Sequence, residues 1–233
     1  MRRTMPGSAR EDRTVSDETD VEFFWDPICP WAWLTSRWVA EVARQRQLRV
    51  DWRFICLRLL NGAKDYERDF PAGYVGVHTT GQKLLRVAAA VRDAEGPDRM
   101  GELYTQFGGD IHVRGRRDEL VEHWEAGFPD YLRSVGIDDG YAAAANDARW
   151  DVVLQAETDE ALGRTGKDVG TPIISFRRDG QQHSFFGPVI SRVPRGDEAL
   201  RLWDAVWEVA TFPGMAELKR SLRERPQLAE SLD

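Results

Sequence analysis

Cysteine, histidine and lysine are all scarce in this chain of 233 residues, and each scarcity removes a class of protein. Two cysteines, Cys29 and Cys56, are too few for a disulfide scaffold. The four histidines show no Cys/His spacing, which argues against a zinc site. No apolar run approaches the ~20 residues that a membrane-spanning helix needs. Residues 1–19 contain an arginine pair but no apolar stretch, so they do not read as a signal peptide; a disordered, charged tail is expected there. A cytoplasmic protein with reduced thiols follows as the expectation. Only Lys64, Lys83, Lys167 and Lys219 are lysines among 32 basic residues, and 39 acidic residues leave a net charge of −7. That balance gives no support to general nucleic-acid or anionic-membrane binding. Internal repeats and low-complexity blocks are missing as well.

What remains is an ordinary globular composition, 42% hydrophobic and 30% charged. Val21 to Trp25 is a short run of β-formers closed by Asp26-Pro27, and reads as a buried strand. From Pro30, a residue suited to the first helical position, Trp31, Leu34, Trp38 and Val42 recur at helical spacing. The stretch LRVDWRFICL then alternates as a strand, with Trp52, Phe54 and Cys56 on one face and Ile55 and Leu57 on the other. Strand, helix and strand within about forty residues make a βαβ unit with parallel strands. Residues 62–166 carry helical patterns broken by Gly and Pro and no clear strand, so they are expected to form a helical insertion. Residues 20–61 and 167–233 flank it as the two parts of one α/β domain. Two β-rich runs surround Asp179-Gly180, a hairpin signal. The segment DEALRLWDAVWEVATF is a helix with Leu200, Trp203 and Trp207 on one side. The order βαβ, helices, ββα is that of a thioredoxin-like fold with a large all-helical insertion.

Cys29 stands between the first strand and the first helix, in Cys29-Pro30-Trp31-Ala32. A thiol at a helix N-terminus faces unpaired N–H groups and the positive end of the helix dipole, so a depressed pKa is expected. Far along the chain, Thr171-Pro172 opens a strand. A proline at that place is awkward unless its peptide bond is cis. Ala32 occupies the position at which Cys-x-x-Cys proteins keep the cysteine that attacks a mixed disulfide. An adduct on Cys29 must therefore be resolved by an external thiol, by Cys56, or not at all. Cys56 reads more simply as a core cysteine.

The segments FWDPICPWAWLTSRW, LLNG, GDIH, DVGTPII, FFGPVISRVPRG and LWDAV together resemble the DsbA-like thioredoxin-fold proteins, and most closely the mycothiol-dependent nitroreductases of actinobacteria. The resemblance covers residues from about 21 to 220. It implies a cytosolic homodimer that uses mycothiol, a low-molecular-weight thiol, on a small-molecule substrate. The family uses a CPWC pair, and Ala32 departs from it. Carried over by position, Cys29 is the attacking thiol, with Pro30 and Trp31 beside it. Asn61 and Tyr74 fall where the family lines the thiol and substrate pocket. Thr171, before Pro172, would offer its backbone to an extended thiol ligand, and His112 would point from the insertion towards the sulfur. Two enzyme readings stay open. One is an oxidoreductase working with a single cysteine. The other is a cis–trans isomerase in which a thiol adds to a conjugated alkene and leaves, since the fold also resembles kappa-class glutathione transferases and 2-hydroxychromene-2-carboxylate isomerase. A non-catalytic binding module is the third.

Overall fold

The computed structural model describes residues 19–232, without the side chains of 123–127. The tail expected at the N-terminus therefore lies, up to residue 18, outside the described residues. The chain opens with strand β1 (Val21–Trp25), helix α1 (Pro30–Arg46) and strand β2 (Val50–Phe54). Between Leu57 and Thr165 every regular element is helical: α2 (Leu57–Leu60), α3 (Tyr66–Asp69), α4 (Tyr74–Glu95), α5 (Met100–Gly108), a π-helical turn (Gly109–Val113), α6 (Arg117–Ser134), short 3₁₀ turns, and α7 (Asp151–Thr165). Strands β3 (Ile173–Arg178) and β4 (Gln181–Phe186) and helix α8 (Gly196–Thr211) complete the order.

The four strands form one sheet in the order β2-β1-β3-β4. β1 runs parallel to β2 and antiparallel to β3, and β3 pairs antiparallel with β4. This is the thioredoxin-like arrangement with its helical insertion. The β3–β4 hairpin turns on Asp179 and Gly180, both at positive φ, as the Asp-Gly pair requires. Alternation along the strands divides the core. Phe23, Trp25, Phe54, Cys56, Ile174 and Phe176 face the large cluster shared with α1, α4, α5 and α8. Phe24, Ile55 and Ile173 face the opposite side and pack on Ala161 of α7. β2 is an edge strand, and α7 covers that edge with side chains. Glu157 accepts from the Phe54 amide at 2.7 Å, and Thr158 accepts from the Cys56 amide at 3.0 Å. Edge donors that would otherwise stay open for another strand are thereby used.

Two helices differ from their sequence patterns. The stripe expected on α1 is too narrow: Ala32, Trp33, Leu34, Thr35, Ser36, Arg37, Trp38, Val39 and Val42 are all buried. The sheet covers one side of this helix and the helical insertion covers another, so few positions remain for solvent. In α6 the helix continues through Pro129, where a break is expected. Proline removes one ladder bond, and the burial of Phe128, Tyr131, Leu132 and Val135 around it outweighs that loss.

Candidate active site

Cys29 is the N-cap of α1, with Pro30 as the first helical residue. Its sulfur accepts from the Ala32 amide at 3.4 Å and donates to the Thr171 carbonyl at 3.8 Å. The Thr171-Pro172 peptide is cis, as expected. A second cis bond, Gly187-Pro188, has no counterpart in the sequence reading; the Pro188 carbonyl accepts from Thr35 Oγ1 of α1 at 2.8 Å. The β1–β3 ladder starts at Ile173, so Thr171 lies outside it, with its carbonyl turned to the sulfur. Ala32, one turn into the helix, is fully enclosed.

The expectation of a low thiol pKa is corrected by the structure. Burial pushes the Cys29 thiol up to about 12; the Asp26 charge adds to that rise, and the Ala32 and Trp31 amides oppose it without winning. A helix N-terminus favours a thiolate when water or a cation also reaches it. Here Cys29 as a whole residue is only 7% exposed. The site therefore stores the group as a thiol.

Asp26 links the two loops that carry the cysteines. Its Oδ1 accepts from the Ile28 amide at 2.9 Å, and its Oδ2 accepts from the Leu57 amide at 2.8 Å. Burial raises this carboxyl from the usual 3.8 to about 6, against the pull of those two amides. The folded protein thus holds the Asp26 proton more tightly than the unfolded chain does. The contribution of this proton to stability is present below pH ~4 and is lost as the pH rises through ~6, a change of about 3 kcal/mol. Asp26→Asn is expected to flatten that loss, and also to speed Cys29 alkylation at fixed pH because a nearby negative charge is gone. Urea midpoints at pH 4.5 and 7, taken with iodoacetamide rates, check both. Parallel pH profiles for wild type and variant would remove Asp26 from this role.

The residues singled out by sequence fall into two groups. Cys29 with its neighbour Pro30 meets the Thr171 carbonyl, which enters the cis bond to Pro172. Trp31 is the helix neighbour of Pro30, half-buried, with the Arg223 guanidinium 6.0 Å from its ring. His112 does not reach the thiol. Its Nε2 donates to the Pro27 carbonyl at 2.8 Å, two residues before Cys29, and its ring stacks on Trp33. Burial lowers its pKa to about 4, so it is neutral and acts as a brace for the β1–α1 loop. Asn61 is buried as the C-cap of α2, and its amide donates to the Leu57 carbonyl at 2.8 Å. Cys56 is enclosed in the core.

Tyr74 belongs to an aromatic group that the sequence reading did not assemble. Tyr66, Phe70, Tyr74 and His78 make ring contacts from 4.8 to 6.2 Å, and Tyr66 Oη meets His78 Nδ1 at 2.9 Å. Arg58 lies over Tyr66 and Lys64 over Phe70. One turn further along α4, a Cβ at Gly81 would stand 2.9 Å from both Asp26 and Ile28. Helix α4, which carries Tyr74 and His78, thus packs at Gly81 against the loop before Cys29. The four residues do recur every fourth position, but Pro71 and Gly73 interrupt the helix among them, so periodicity gave no warrant.

Trp33 is the other residue missed. Its indole N–H donates to Ser231 Oγ at 2.8 Å, and Tyr104, His112 and Arg37 pack on its ring. The segment after α8 thus folds back onto α1. The Gln227 amide donates to the Ser191 carbonyl, and Arg195 donates to the Ser231 carbonyl.

Residues 28–220 match the family Rv2466c-like, described as mycothiol-dependent nitroreductase Rv2466c. The protein Rv2286c of Mycobacterium tuberculosis, whose name assigns no activity, is 30% identical over 211 residues, which are 87% of this chain and 82% of that one. Two solved structures share the fold. A candidate protein disulfide isomerase from Nitrosomonas europaea has a TM-score of 0.51 at 15% identity, over 80% of this chain and 96% of its own. A 2-hydroxychromene-2-carboxylate isomerase has a TM-score of 0.50 at 14% identity, over 80% of this chain and 93% of its own.

Proposed function

Because the chain belongs to the Rv2466c-like family of mycothiol-dependent nitroreductases, we propose that it is a thiol-dependent oxidoreductase in which Cys29 works without a resolving partner. The observation that carries this reading is the pairing of an N-cap sulfur against the Thr171 carbonyl with an enclosed alanine at position 32. Mycothiol is the proposed thiol. Thr171, outside the strand ladder, would offer backbone to its cysteine portion, and the aromatic group under Arg58 and Lys64, part of it on the helix that packs beside Asp26 and Ile28, would receive a small aromatic substrate.

The chemistry balances with external thiol alone. The Cys29 sulfur adds to the electrophilic substrate, its S–H bond breaks, and its proton passes to the substrate. A first mycothiol attacks that sulfur, releases the reduced product and leaves a mixed disulfide. A second mycothiol attacks the mixed disulfide, forms mycothiol disulfide and restores the Cys29 thiol. Two thiols lose two electrons and two protons, and the substrate gains them. A thiol with a raised pKa is a poor leaving group, so the mixed disulfide is expected to persist. A cytoplasmic homodimer is part of the same proposal.

The enclosed Ala32 also favours a second reading, a cis–trans isomerase, since one sulfur suffices for addition to an alkene and its reversal. Thiol counting separates the two. A nitroaromatic or quinone is supplied in one assay and a conjugated cis alkene in another, with thiols counted by mass spectrometry and product geometry followed by NMR. Two thiols consumed per product support the oxidoreductase. Altered alkene geometry with every thiol intact would replace it with the isomerase.

A further inference from the structure

The sheet has two edges, β2 and β4, and the fold treats them differently. At β2, Glu157 and Thr158 of α7 accept from edge amides. At β4 the hairpin fixes which groups point outward. The Gly187 amide donates to the Pro172 carbonyl at 2.9 Å, and bonding alternates from residue to residue along an antiparallel pair. Phe185 and His183, two and four residues before Gly187, therefore bond inward to Ile174 and Phe176. Gln182, Ser184 and Phe186 turn their N–H and C=O groups away from β3. Each presents one donor and one acceptor, and no hydrogen bond from the described residues reaches them.

Native edges are ordinarily guarded by lysine, proline, a bulge or a covering element. The β4 sequence, QQHSFF, contains no Lys, Arg, Asp, Glu or Pro. Its register with β3 runs unbroken from Gln181 to Phe186, so there is no bulge. Helices α7 and α8 pack on the two faces of the sheet, α7 against Ile173 and α8 against Phe176. Gln182 is exposed, and Ser184 and Phe186 are half-buried.

We propose that β4 is an interaction surface for a second copy of this chain, the two strands pairing antiparallel across a two-fold axis at Ser184 to make one continuous sheet. The strand complements itself in that register, as a two-fold interface requires. Gln182 stands opposite Phe186 of the second copy and Ser184 opposite its own copy, so every outward donor meets an outward acceptor. On the other face His183 stands opposite Phe185 of the second copy. No pair sets like charges against each other. Ser175 and Ser184 already share a hydroxyl hydrogen bond at 2.7 Å, and the second copy extends that row. The surface serves the homodimer included in the proposed function and rests on that part of it; the chemistry of Cys29 does not enter.

Sedimentation equilibrium of the full chain is expected to show a dimer with a Kd of about 1–100 μM, weak because one strand from each copy makes the contact. The amides of Gln182, Ser184 and Phe186 are expected to exchange with deuterium at least about tenfold more slowly above that Kd than below it. Ser184→Pro removes an outward N–H and no bond to β3. It is expected to sediment as a monomer, with a thermal melt to show that it is folded. Ser184→Cys, in a Cys29→Ser background, sets two thiols in a directly opposed pair with Cα atoms about 5.5 Å apart, within the range of a disulfide. Diamide is expected to cross-link it at least about tenfold faster than Val152→Cys in the same background, an exposed control on α7. A wild-type chain that stays monomeric at about 500 μM, with the three amides exchanging freely, would overturn the surface and the homodimer together. A dimer that persists in folded Ser184→Pro, or cross-linking of Ser184→Cys no faster than the control, would overturn this surface and leave the homodimer to another face.

Discussion

Ala32→Cys is expected to convert a stable one-to-one mixed disulfide into an intramolecular disulfide. In the native chain the Cys29 adduct has no neighbour to attack it. Position 32 holds a methyl group, and Cys56 is enclosed in the core with its thiol pushed up to about 12 by burial. A cysteine one turn along α1 would place the two Cα atoms within the range a disulfide needs. The attack then becomes intramolecular, and release is expected to quicken by at least about a hundredfold over a millimolar external thiol. Intact-mass spectra after incubation with mycothiol disulfide read the result directly. Wild type should gain the mass of one mycothiol and keep it. Ala32→Cys should lose that mass and end two hydrogens lighter than the reduced chain. A native chain that sheds its own adduct with no thiol added would make Cys56 the resolver and end the single-cysteine reading.

Gly108→Ala is expected to be the most damaging of the glycine-to-alanine changes among the described residues. A Cβ at Gly108 would stand 2.1 Å from Trp33 Cε3 and 2.3 Å from Cζ3. Trp33 is fully buried, held by Ser231 at its indole N–H and by Tyr104, His112 and Arg37 around its ring, so it has nowhere to retreat. Overpacking of this kind costs about 3 kcal/mol, which corresponds to a Tm lower by roughly 6–12 °C in a chain of this size. Gly163→Ala is the control. That glycine lies in α7 with nothing within 4 Å of its Cβ position. A gain of about 0.5–1 kcal/mol is expected there from helix propensity. Calorimetric melts of the two variants test the contrast, and a Gly108→Ala Tm within about 1 °C of wild type would show that the Trp33 enclosure yields.

The strands, the α1 N-terminus, the Asp179-Gly180 hairpin and the cis bond before Pro172 were all legible in the sequence. Each is specified by a few adjacent residues: a β-rich run, a proline after a cap, a pair that tolerates positive φ. That one thiol stands at the start of α1 with an alanine at position 32 was legible too, because both are local facts. What Asn61 and His112 do was not legible. Asn61 spends its amide on capping α2, and His112 meets the Pro27 carbonyl across 85 positions of chain. A sequence pattern registers neighbours along the chain and gives no distance between such segments.

The protonation state of Cys29 shows the same division in one atom. From its sequence neighbours the sulfur acquires two helix amides, which favour the thiolate. From the fold it acquires burial and the Asp26 charge, which favour the thiol more strongly. The sequence by itself determined that one thiol caps one helix opposite one cis-proline strand. Only the tertiary structure decided how that thiol is held, how Trp33 is locked by the returning C-terminal segment, and how Arg37 comes to be buried against the Trp33 ring. The physical reason is that desolvation and packing sum over every atom brought near a group, and most of those atoms come from residues far away in the chain.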